Sequence, residues 1–441
     1  MFESVLKDIF SPPITKCLLS QRITCSEPTY LKCLSGKLSH RSMLLLFSIF
    51  IRNRNAFLIL VAAAAALKLV LSAVEPASED LGNIITLVAS GHAPIGPWIA
   101  LYPPLYNQTT ANINQLQSWT LAVPLGSAEL SLLFRLPVFL FDLATLITLF
   151  YVGRKMKTSQ EGRLMALIWF LNPFSFMGVE LSALPDIVCV FLVTLSLLLL
   201  ISERPLLSAA TLGLGAFIKL FPIFLLPPLL VYMHLNGARA KPLLSAFLLG
   251  ALGFSGYLAW VLPYGTTYLA KPTPVTQLVP FVGGIPNTVN IVTFGMFAFY
   301  CLLFIFVKKA EPLPIFLLTL IVYYLLAVPG PQYLIWLLPL IAVDLAFADR
   351  LKILVVAILL ASAFLEWFLA SSAFLTPSGY SLLMFPMGGE NVPSYSVALG
   401  NFLDSDLVGI IILPLVSSAT FAFLLAYAAE QLRPWFHGSQ T

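Results

Sequence analysis

Charge is the scarcest property of this 441-residue chain: 10% of its residues are Asp, Glu, Lys or Arg, against 59% that are hydrophobic. A soluble domain carries roughly 25% charged residues, so an ordinary water-soluble fold is excluded and a polytopic membrane protein remains. Regular two-residue alternation of apolar and polar side chains is also missing. That excludes a membrane β-barrel and leaves a helical bundle, because only these two architectures satisfy every backbone polar group in lipid. Cysteines number five. Cys17, Cys25 and Cys33 lack zinc-ligand spacing and Cys189 and Cys301 lie in apolar runs, so all five read as free thiols. No Walker sequence, dinucleotide fingerprint, HExxH or Ser/His/Asp signature is present, which argues against a nucleotide-driven pump. The basic residues are sorted by side rather than gathered in one patch, so nucleic acid is not an expected partner.

Lysine and arginine are absent between Glu75 and Phe134, whereas residues 1–54 carry eight of them. Cytoplasmic loops accumulate positive charge, so the N-terminus reads as cytoplasmic and the segment 75–130 as extracytoplasmic. A helix needs about 20 apolar residues to cross a bilayer. Spans read near 56–74, 131–152, 164–180, 184–202, 206–219, 220–235, 242–262, 289–307, 313–328, 332–348, 352–371 and 406–429. The short pieces 206–219 and 220–235 meet at Lys219-Leu220-Phe221-Pro222, which suggests a kinked or re-entrant pair. Arg154, Lys155, Lys157, Arg163, Arg204, Arg239, Lys241, Lys308, Lys309, Arg350, Lys352 and Arg433 mark successive cytoplasmic turns. Four basic residues break the bias: Lys68, Arg135, Lys219 and Lys271. The expected fold is therefore an all-α polytopic bundle of about 10–12 transmembrane helices with a large first extracytoplasmic loop. Residues 1–42 read as a cytoplasmic arm without regular structure, and 43–441 as one transmembrane domain with long extracytoplasmic loops at 75–130, 263–288 and 372–405. Both termini are expected in the cytoplasm. Within the first loop, Leu81, Ile84, Ile85 and Val88 recur at helical spacing, as in an interfacial helix over 81–90.

Polar groups inside lipid are expensive, so each one asks for a reason. The adjacent pair Glu79 and Asp80 sits just past the first span. It suits either a general base with a sugar- or metal-holding neighbour, or the cap of helix 81–90. Lys219 lies in GAFIKLFPIFLLPP; its ammonium suits either a lipid-linked phosphate or a snorkelling contact with the interface. Arg135 opens the second span and can hold a phosphate through two parallel hydrogen bonds, or pair with Glu129 or Asp142. Asp142 reads as a polar contact inside the bundle. Asn172, Glu180 and Asp186 surround an outer turn, where Glu180 or Asp186 either joins a cleft or is simply solvated. Gln332 either binds a sugar hydroxyl or caps its helix, and His92 is the one histidine on the outer face.

The order of short motifs carries further information. An acidic group follows the first helix, then Gly91-His92-Ala93-Pro94, Tyr102-Pro103-Pro104-Leu105, Asn172-Pro173, Lys219-Leu220-Phe221-Pro222 with Leu225-Leu226-Pro227, and Gln332-Tyr333-Leu334-Ile335-Trp336. This order resembles the GT-C superfamily of polytopic glycosyltransferases, and within it the PIG-M-type mannosyltransferases that use polyprenyl-phosphate sugars. The acidic residues are adjacent here, where that family spaces them by one, and Ile95 stands where Tyr is common. The resemblance implies an inverting transfer of a hexose, mannose above all, from a polyprenyl-phosphate sugar to a glycolipid or glycan acceptor on the extracytoplasmic face. It implies Asp80 and Glu79 as catalytic carboxylates, with a divalent Mg or Mn ion on them as an open option. Lys219 and Arg135 would hold the donor phosphate. His92, Tyr102, Asp186, Gln332 and Tyr333 would contact substrate. Two other readings stand beside it: a transporter or lipid flippase, and a non-catalytic subunit of a glycan-assembly complex. A transporter calls for matching interruptions in two halves, and only the one at Lys219 is visible. A non-catalytic subunit would tolerate loss of Glu79 and Asp80. Membrane lipids are expected partners in every case, in either the plasma membrane or the endoplasmic reticulum.

Overall fold

The structure, a computed structural model, describes residues 51–74, 127–176, 186–261, 287–307, 311–327, 331–348, 350–370 and 413–437. The expected arm 1–42, the interfacial helix 81–90 and most of the three long loops lie outside these residues. The chain divides into two units, Met1–Leu60 and Val61–Thr441. Of the first, the described part begins helix α1 (Arg54–Val74). Asn53 caps it, its Oδ1 accepting from the backbone N–H of Asn55 at 2.9 Å and of Ala56 at 3.3 Å, which satisfies two of the donors a helix start leaves open.

The second unit is an all-α bundle; the described residues contain no strand. After α1 come α2 (Ser127–Met156), α3 (Ser159–Phe170), α4 (Asp186–Ile201), α5 (Pro205–Ile218), α6 (Leu226–Leu235) and α7 (Ala240–Val261). There follow α8 (Asn287–Phe306), α9 (Pro312–Ala327), α10 (Leu338–Leu345), α11 (Arg350–Ala370) and α12 (Leu413–His437). Three of these helices contain stretches long and apolar enough to cross a membrane, Leu136–Met156, Ala240–Ala259 and Leu415–Leu432, and shorter apolar helices accompany them. The outer surface confirms the solvent. Leu252, Phe294 and Leu415 are each 70% exposed or more, a placement that water penalises and lipid does not. The chain is an all-α membrane protein.

Proline and capping residues set where the helices stop. The span expected over 164–180 ends at Phe170 instead, because Asn172 and Pro173 start a separate turn, Pro173–Ser175. Asn172 Oδ1 accepts from Phe174 N–H at 2.8 Å. The expected interruption after 218 is present: α5 ends at Ile218, Lys219 is extended, and a 3-10 turn over Phe221–Leu225 leads into α6. At about 1.5 Å per residue, the 14 residues of α5 reach about 21 Å, short of a bilayer core of about 30 Å. A second 3-10 segment, Pro331–Trp336, likewise precedes α10. Close helix contact relies on glycine. A Cβ added at Gly253 of α7 would lie 1.8 Å from the carbonyl oxygen of Gly213 in α5, so those two backbones touch as small-residue membrane interfaces allow.

Candidate functional site

The two broken helices converge on one charged group. Lys219 ends α5, Asp186 begins α4, and Trp336 ends the 3-10 segment before α10. Lys219 Nζ donates to Asp186 Oδ1 at 2.6 Å, and Trp336 Nε1 donates to the same oxygen at 2.7 Å. The ammonium also lies 4.8 Å from the Tyr333 ring centre and 5.5 Å from that of Trp336, within the range of cation–π attraction. Phe221 stacks on Trp336 at 4.3 Å with its plane tilted by 10°, and Tyr323 lies 5.9 Å from Trp336 on α9. The local sequence explains the arrangement. Pro222 cannot continue α5, so the chain turns after Lys219 and packs the Pro222 ring against Gly215. The turn frees the lysine from the helix and aims it at the start of α4.

Access separates the two charges. The Asp186 side chain is 1% exposed, while that of Lys219 is 32% exposed. The carboxylate is enclosed and its Oδ1 takes two charge-assisted or polar hydrogen bonds. The Lys219 side chain is part-exposed, and its ammonium faces the rings of Tyr333 and Trp336. Such a group can donate a hydrogen bond to a polar headgroup; the enclosed carboxylate is not placed to take a proton from an incoming hydroxyl.

Three residues expected from the sequence therefore meet: Lys219, Asp186 and Tyr333. Asp186 belongs to the wall of this group rather than to a solvated turn. Arg135 lies in the first part of α2 and Gln332 in the 3-10 segment, with side chains outside the described residues. Glu79, Asp80, His92 and Tyr102 are outside them entirely. Among the described residues there is no group of three or more His, Cys, Asp or Glu able to hold a metal. Trp336 and Phe221 are additions; both stand inside motifs visible in the sequence, but their contacts with Asp186 and with each other depend on the fold.

A second intramembrane pair was missed by sequence reasoning. Asp142, expected as a polar contact inside the bundle, partners Lys68 at 2.5 Å, and both side chains are fully buried. Asp142 also accepts from Trp169 Nε1 at 2.8 Å, and Lys68 donates to Ser175 Oγ at 3.1 Å. The rings of Phe170 and Phe176 cover the ammonium. At a third node, Asp344 accepts from Lys352 at 2.8 Å, Tyr427 at 2.6 Å and Gln431 at 3.0 Å, tying α10 to α11 and α12.

The fold and these nodes define a class: a helical multi-pass membrane protein with a part-exposed lysine at a broken hairpin. Comparison with known families narrows it. Residues 102–272 match the family described as PIG-U, GPI transamidase subunit PIG-U. No curated protein and no solved structure matches the chain. The match corrects the expected activity: the family it points to is a subunit of a transamidase, not a glycosyltransferase, so mannosyl transfer is not the reading it supports. The matched segment contains Tyr102-Pro103-Pro104-Leu105, Asn172-Pro173 and Lys219-Leu220-Phe221-Pro222, which also carried the glycosyltransferase resemblance. It begins after Glu79 and Asp80.

Proposed function

We propose that this chain is a non-catalytic membrane subunit of a GPI transamidase-type complex. The observation that carries the proposal is the position of the family match. It includes both Asp186 and Lys219 but leaves out the acidic pair on which a sugar-transfer mechanism would depend. The geometry agrees, since the one carboxylate in the described site is enclosed and committed to Lys219 and Trp336. In this reading the bundle holds a lipid-linked substrate for chemistry performed by another subunit. Lys219 donates an N–H to a phosphate oxygen of the GPI headgroup, and the aromatic rings of Tyr333 and Trp336 hold the ammonium in place. Of the two membranes left open by the sequence, this reading selects the endoplasmic reticulum.

The test uses cells in which the chain is removed and a tagged copy restored. Recovery of transamidase components with the tagged copy, together with restored surface display of a GPI-anchored reporter, is the expected result. Lys219→Met should still assemble but restore less display, and Glu79→Gln with Asp80→Asn should restore it fully. A chain that recovers no transamidase component and whose removal leaves display unchanged would overturn the proposal.

A further inference from the structure

At the opposite end of the bundle from Lys219, the basic residues of a hairpin outnumber the acids that face them among the described residues. The segment 331–348 shows the separation: Trp336 closes the site above, while Phe347 lies beneath Lys157 at 5.6 Å. Lys157 belongs to the turn between α2 and α3. There the two backbones are in contact, because a Cβ on Gly153 would lie 2.5 Å from Gly162 Cα, and one on Gly162 would lie 3.2 Å from Arg154 N. The contact brings Arg154 of α2 and Arg163 of α3 onto neighbouring turns, with Lys155 beside them.

The charges in this turn are unbalanced. Its carboxylate, Glu161, is already engaged by Thr158 and by Lys157 at 3.5 Å. Arg154 and Lys155 are exposed and have no ion-pair partner among the described residues. Arg163 is half-buried, and its Nε is enclosed with no hydrogen-bond acceptor among the described residues. The enclosed Nε is out of reach from outside, but the terminal nitrogens of this half-buried guanidinium remain as donors for an anion. The level in the membrane is marked by Tyr151, 47% exposed one turn before Lys155, and by exposed Met156. An exposed tyrosine at the end of a membrane helix belongs at the headgroup boundary.

We propose that the α2–α3 turn is a binding site for the phosphate of an anionic membrane lipid, with Arg163 and Arg154 as its principal ligands and Lys155 as a supporting charge. Guanidinium groups suit the role because their planar donors match phosphate oxygens in pairs. The site is independent of the proposed subunit role, since it lies away from Lys219 and needs no transamidase partner.

Titration of the purified full-length chain with phosphatidylinositol and with phosphatidylcholine, followed by native mass spectrometry, tests it. Wild-type protein should hold phosphatidylinositol in preference to phosphatidylcholine, a comparison that needs no variant. Arg154→Gln with Arg163→Gln should weaken phosphatidylinositol on the order of 30-fold, from about 1 kcal/mol per basic residue at a membrane surface. Arg239→Gln with Lys241→Gln, exposed residues of a different turn, should leave affinity unchanged. Equal retention of both lipids by wild type, or equal loss in both double variants, would overturn the site. Soluble inositol phosphate competing as well as the lipid would overturn the lipid as its source.

Discussion

Lys68 and Lys219 both meet an aspartate inside an apolar bundle, at 2.5 Å and 2.6 Å, yet only one pair is sealed. Around Lys68, two phenylalanine rings, Ser175 and Trp169 complete the shell, and neither charge reaches the surface. Around Lys219 the carboxylate is equally enclosed, but the lysine side chain is 32% exposed. Burying both charges is expensive, and the attraction offsets that cost only when the remaining hydrogen bonds are made. The Lys68 pair meets that condition and holds α1 to α2 and the α3 end. The Lys219 pair leaves part of its lysine side chain exposed, at a point where the helix is broken. A closed pair serves the fold, while a part-exposed pair at a break has capacity to spare for a ligand.

Removing one partner is the most direct way to break the comparison. Lys68→Met leaves Asp142 buried beside Trp169 without its cation, and should cost about 3–5 kcal/mol. Heating the detergent-solubilised protein and following its aggregation would show this as a large fall in midpoint. Lys68→Met with Asp142→Leu should recover most of the loss, because two apolar side chains need no compensation there. Stability of the single variant equal to wild type would remove the staple role. Backbone contact sets the next largest effect. Gly253→Leu has no space beside the Gly213 carbonyl and should cost at least about 1–3 kcal/mol, read by the same melt.

Lys219→Met sharpens the comparison from the other side. The Lys219 side chain is 32% exposed, so the loss in stability should be smaller, about 1–2 kcal/mol, while Asp186 keeps its bond from Trp336. Reporter display should fall further than that change in stability explains. A Lys219→Met protein as unstable as Lys68→Met would mean that the part-exposed pair is structural too.

The helices were legible because each is an apolar run bounded by charge or proline, and the break at Lys219 was legible because Pro222 follows at a fixed distance. The end of the third span was placed too late because residues 171–180 stay apolar beyond the real stop; Asn172 and Pro173 were the signal. Partners were another matter. Asp186 stands 33 residues from Lys219 and 150 from Trp336, and Lys68 stands 74 from Asp142. Nothing local to any of these residues selects its mate. Lys68 could have been suspected as a lone cation in an apolar run with a lone Asp142 in the next. The acidic pair Glu79 and Asp80 stands out through its position in the loop; the family match corrects the glycosyltransferase activity, while the pair itself lies outside the described residues.

The smallest effect belongs to an exposed lysine–carboxylate pair, Lys157 and Glu161, which stands in contact with water. The Lys157 side chain is 60% exposed and the separation is 3.5 Å, so solvent already screens both charges. Lys157→Met should therefore change the melting midpoint by no more than about 0.5 kcal/mol would produce, and a loss approaching that of Lys219→Met would show that burial does not govern the series. Glu161 has its own constraint. Its carboxyl is held below the ordinary range chiefly by the Thr158 hydroxyl, with its own backbone N–H and Lys157 contributing. Because the folded value is the lower one, the contribution is present above the unfolded pKa and is lost as pH falls through the folded value. Thr158→Ala should remove most of that acid-side dependence and about 1 kcal/mol of capping, whereas Lys157→Met should leave most of it in place. The order of the three lysine variants then follows how far each ammonium is withdrawn from solvent, with charge held constant across the series.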